Sequence, residues 1–78
     1  MNDLSRLKWR CRRGMKELDV LLIRYLEQRF FQAPAEEQQA FRMLLELPDP
    51  QLFHYFVQRE TPKDEAIANV VNNILTHD

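Results

Sequence analysis

"MKELDVLLIRYLEQRF", residues 15–30, is the stretch on which the fold turns. Leu18, Leu21, Leu22, Tyr25 and Leu26 recur at steps of three and four, the spacing that lines one face of a helix. Val20 and Ile23 widen the apolar surface, so the segment predicts a central helix over 15–30 that is covered on more than one side.

The same period continues outward from it. Leu4, Leu7 and Cys11 predict a short basic helix over 3–13, with Trp9 read as a packing residue between helices. In "QAPAEEQQAFRMLLEL", Pro34 suits a first helical turn, and Glu36 and Glu37 suit the positive end of the helix dipole ahead of Phe41, Leu44 and Leu45. "DPQLFHYFVQR" predicts a fourth helix starting at Pro50, capped by the Asp49 carboxylate. "TPKDEAIANVVNNIL" repeats the device with Thr61 and Pro62 and places Ile67, Val70, Val71, Ile74 and Leu75 on a buried face. No stretch alternates strictly enough for a strand, and connections of two to five residues are expected. The reading is all-α: a compact bundle of about five short helices in one domain, residues 1–78.

A hydrophobic content of 45% places the chain above compositions that stay disordered. A chain of 78 residues still buries only about 60% of its unfolded surface, and the single cysteine, Cys11, allows no internal disulfide to reinforce it. A lone cysteine fits a reducing compartment and is read as a small, half-buried filler, so a cytoplasmic location is expected. The longest apolar run, Val20 to Ile23, is far short of the roughly 18 residues of a membrane span, so no membrane insertion is expected. Net charge is −1 but unevenly distributed. Arg6, Lys8, Arg10, Arg12, Arg13 and Lys16 face only Asp3 within residues 1–16, leaving the remainder acidic.

The only glycine, Gly14, lies in "CRRGMKELD", residues 11–19. A glycine just past a helix takes the left-handed conformation cheaply, with Arg12 and Arg13 favoured at the carboxyl end and Glu17 and Asp19 at the next amino end. The stripe Leu4, Leu7, Cys11, Met15, Leu18, Leu22 nevertheless keeps a helical period straight through Gly14, as a nearly continuous helix would. In that case Arg13 and Glu17, four apart, share one face beside a glycine notch. Either arrangement exposes "RGMKE" as a polar binding patch.

Catalysis is not expected. His54 and His77 have no ligand partners at metal spacing; Ser5, Thr61 and Thr76 carry no nucleophile motif; and one glycine cannot make a phosphate loop. The rival to a protein-binding patch is a nucleic-acid module built on the basic first helix and Trp9.

At "CRRGMKELD" the sequence resembles the FAD assembly factors of succinate dehydrogenase, the SdhE-type proteins with an Arg-Gly-x-x-Glu signature, here Arg13, Gly14 and Glu17. Trp9, Asp19 and "RMLLELPDPQLFHYF" extend the resemblance over most of the chain, while His54 and Tyr55 stand where family members often have a tryptophan. The resemblance implies a five-helix protein that is no enzyme and holds no cofactor stably. It would promote covalent attachment of FAD to the flavoprotein subunit of succinate dehydrogenase or fumarate reductase. It implies partner-binding roles for Arg13, Gly14 and Glu17; Arg12, Met15 and Asp19 beside them are read as part of the same binding surface, and the chain is expected to bind no nucleic acid and to be a monomer when free.

Overall fold

Helix boundaries follow proline and glycine more closely than the apolar stripes do. The computed structural model describes residues 3–76, which form five α-helices: α1 (Asp3–Cys11), α2 (Lys16–Gln28), α3 (Ala35–Leu45), α4 (Asp49–Phe56) and α5 (Glu65–Thr76). A 3-10 turn, Phe30–Gln32, lies between α2 and α3, and there is no strand among the described residues. His77 lies outside the described residues.

α2 is the hub, touching α1, α4, α5 and the 3-10 turn, while α3 lies along α5 and also meets α1. Leu18, Leu22, Tyr25 and Leu26 of α2 are fully covered, as their spacing requires, and the buried residues form one continuous cluster. The radius of gyration, 11.4 Å, matches the roughly 11.5 Å of a folded chain this long.

Several boundaries differ from those expected. The first helix stops at Cys11, and Gly14, at φ 81°, stands between two separate helices, which rules out a continuous helix through it. α2 ends at Gln28 because Phe30 turns inward against Phe41, ring centroids 5.4 Å apart, while Gln38 Nε2 donates to the Phe30 carbonyl at 2.8 Å. Asp49 does not cap α4; the Pro48 carbonyl accepts the first backbone bonds from Gln51 and Leu52, and the Asp49 side chain turns elsewhere. α5 is capped by Asp64, whose Oδ1 accepts from the Ile67 N–H at 3.1 Å, and not by Thr61. The connection from α4 to α5 runs over 57–64, longer than expected, with Arg59 in the left-handed region at φ 61°.

Side chains bring two further corrections. Trp9 is 75% exposed and packs between no helices: it lies two residues past Leu7, about 200° around α1 from the covered stripe. Cys11 is fully buried where half-burial was expected, and burial pushes its thiol up to about 12, partly offset by the Arg13 charge. One polar cluster was not anticipated. The Tyr25 hydroxyl donates to Glu37 Oε2, and Asn73 Nδ2 donates to Glu37 Oε1 at 3.1 Å, so one carboxylate joins α2, α3 and α5. Burial and the neighbouring Glu37 raise the Tyr25 phenol well above its ordinary range.

Candidate functional site: the corner between α1 and α2

Four residues, 12–15, reverse the chain from α1 into α2. The left-handed φ of Gly14 disfavours any residue with a Cβ, although a Cβ built there meets nothing within 4 Å. Conformation rather than crowding therefore demands the glycine, and its outer face is open. Asp19 reaches back from the first turn of α2 and accepts the Arg13 backbone N–H at 2.7 Å, tying the turn to the helix it feeds.

The Arg13 side chain runs inward and is 15% exposed. Nη2 donates to the Leu45 carbonyl, and Nη1 donates to the Leu47 carbonyl at 3.2 Å and to Asp49 Oδ1 at 3.4 Å. The reason lies in helix geometry. The last carbonyls of α3 have no intrahelical donor and carry the negative end of its dipole, so a guanidinium fork fits there. The charge-flanked notch expected of Arg13 and Glu17 consequently does not form, because Arg13 pairs with Asp49.

Exposure divides the six residues singled out by sequence. Arg12, Gly14 and Glu17 are exposed, Met15 is half-buried, and Arg13 and Asp19 are engaged in internal hydrogen bonds. Around the exposed ones the surface is shallow and largely apolar. Gly14, Lys16, Asp19, Val20 and Ile23 line a depression of about 430 Å³, with Val20 54% exposed. Met15, Lys16, Glu17, Leu18, Phe53 and Val57 line another of about 280 Å³. Lys16 thus borders both apolar hollows and Glu17 one of them, which is the anatomy of a contact surface: apolar ground with a few charges that fix orientation.

Among the described residues no three His, Cys, Asp or Glu side chains come together as metal ligands, and no helix is long and apolar enough to cross a membrane. The buried, protonated Cys11 thiol is unsuited to nucleophilic attack.

Residues 5–78 match the family model described as flavinator of succinate dehydrogenase. The FAD assembly factor SdhE of Pseudomonas aeruginosa is 44% identical over 73 residues, covering 94% of this chain and 87% of that protein. Those of Aliivibrio fischeri and Idiomarina loihiensis are 40% and 37% identical over 75 and 76 residues, covering 96% and 97% of this chain and 87% and 84% of theirs. The chain belongs to the succinate dehydrogenase flavinator family.

Within that family's signature as it stands here, Gly14 and Glu17 are open to a partner, while Arg13 faces the protein's own α3–α4 corner. Sequence reasoning missed Asp49 as the counter-ion of Arg13, because the two are 36 residues apart and local rules gave the carboxylate a cap to make. It also missed the exposed Val20. That signal was available, since Val20 lies two positions past Leu18 and hence on the far face of α2.

Proposed function

We propose that this chain docks on the flavoprotein subunit of succinate dehydrogenase, and on that of fumarate reductase, and promotes covalent attachment of FAD there. It acts in the cytoplasm as a chaperone, forms no bond itself, keeps no FAD, and is a monomer between clients. Arg12, Gly14, Met15 and Glu17 meet the client, with Arg13 and Asp19 behind them. The observation that carries this reading is the open Gly14–Glu17 corner with an apolar hollow on either side. Such a surface suits a protein partner better than a small molecule, since neither hollow is enclosed.

The test is co-expression with the flavoprotein subunit and measurement of acid-stable flavin on that subunit. Gly14→Arg and Glu17→Ala are expected to keep the helical circular dichroism of the parent and to abolish covalent flavin. Wild-type flavin levels with both variants would overturn the docking. A nucleic-acid role has one observation in its favour: Trp9 stands exposed on α1 beside Arg6 and Arg10, neither of which has a hydrogen-bond or ion-pair partner among the described residues. Salt-dependent binding to an oligonucleotide would support that reading, and its absence would remove it.

A further inference from the structure

The signature arginine is the residue for which exposure and resemblance disagree. The resemblance gives Arg13 a contact with the client, whereas the structure turns its fork away from the open face. Both ends of the residue are held within the protein. The backbone N–H goes to Asp19, and the guanidinium goes to Leu45, Leu47 and Asp49, 32 to 36 residues further along the chain. Its Nε is buried without a partner, so that N–H is out of reach of an outside acceptor. Gly14 follows immediately in a conformation that other residues resist, and a fixed Arg13 leaves the next peptide few alternatives.

We infer that Arg13 is a positioning residue for docking: it latches the α1–α2 corner onto the carboxyl end of α3 and onto Asp49, and thereby sets the angle at which Gly14, Lys16 and Glu17 meet the client. This rests on the docking reading above. It adds Asp49 to the functional unit, although that carboxylate lies outside the signature. It also gives the Arg-Gly-x-x-Glu and Asp-Pro segments of this chain one shared task, because they meet through the Arg13–Asp49 pair. A lysine could not replace the arginine fully, since one ammonium does not reproduce a planar fork that spans two carbonyls and a carboxylate.

The experiment uses the full chain with Arg13→Gln, Arg13→Lys, Asp49→Asn, Glu17→Ala and the double variant R13Q/D49N. Asp49 is a half-exposed carboxylate, so Asp49→Asn is expected to fold. Two quantities are read: the amide resonances of Gly14, Met15 and Lys16 in the free protein, and affinity for the isolated flavoprotein subunit. Arg13→Gln and Asp49→Asn are both expected to shift those amides without any client present and to weaken binding, about tenfold for Arg13→Gln. The double variant should be little worse than Arg13→Gln alone, as residues acting through one contact are not additive. Arg13→Lys should recover part of the affinity. Unmoved amides together with a wild-type Asp49→Asn affinity would overturn the latch and return Arg13 to the contact surface, while a loss with Glu17→Ala in the same series would leave the docking reading standing. Absence of binding by the unaltered chain would bring down the docking reading and the latch with it.

Discussion

Two reversals of this chain turn on a left-handed residue, and they are secured in opposite ways. Gly14, at φ 81°, separates α1 from α2; Arg59, at φ 61°, separates α4 from α5. At the first, Arg13 carries hydrogen bonds across more than thirty residues to the end of α3 and to Asp49. At the second, the bonds are local: Gln58 N–H to the Phe53 carbonyl at 3.2 Å, and Glu60 N–H to the His54 carbonyl at 2.9 Å. A reversal closed by bonds among its own near neighbours answers to its own residues. One tied to a distant corner answers to the whole fold, and it is this one that presents the open surface between two apolar hollows. A glycine holds the strained position where geometry must be kept, and an arginine is tolerated where it need not be.

Alkaline pH should weaken the fold, in part through the helix that leads into the first reversal. Cys11 ends α1 three residues ahead of Gly14, and its thiol is raised from 9.0 to about 12 by burial. The unfolded chain therefore loses this proton first, and the stabilisation present below pH 9 is lost as pH rises toward 12, on the order of a few kcal/mol at most. Urea midpoints measured across that range should fall less steeply for Cys11→Ala than for the parent. Equal slopes would remove Cys11 from the account.

Gly14→Val comes next in size. The space is empty, so only backbone strain opposes the valine, and a loss of about 2 kcal/mol in denaturant unfolding is expected. No loss would show that the turn can relax and that the latch does not hold it. Arg59→Gly should give the smallest change and the opposite sign, a gain of about 0.5 kcal/mol, because relief of the left-handed strain is offset by the greater freedom of glycine in the unfolded chain. A destabilised Arg59→Gly would mean that the second reversal, too, depends on its side chain.

The helices were legible in the sequence wherever a stripe of large apolar residues had one face to cover, as with Leu18, Leu22 and Leu26 or Val70 and Ile74. Periodicity also contained the exposure of Trp9 and Val20, for both lie about 200° from a covered neighbour. It could not contain the latch. Asp49 followed by Pro50 satisfies the local rule for a helix start, and nothing nearby in the chain reveals a guanidinium arriving from residue 13. Thr61 lost the cap to Asp64, because α5 begins at Glu65, three residues beyond the expected Pro62. The Tyr25–Glu37–Asn73 cluster escaped for the same reason, since it joins three helices through one carboxylate. Local chemistry specified the elements of the candidate site, Gly14 and Glu17 among them, and tertiary contacts assigned which neighbours face outward.

Trp9 is the sole tryptophan of the chain and is three-quarters exposed. Its indole in the free protein therefore sits in much the same aqueous surroundings as in the denatured chain, and its fluorescence is nearly blind to unfolding. A macromolecule settling over α1 would move that emission to shorter wavelength, so the molecule carries a native optical gauge of association that is separate from its stability.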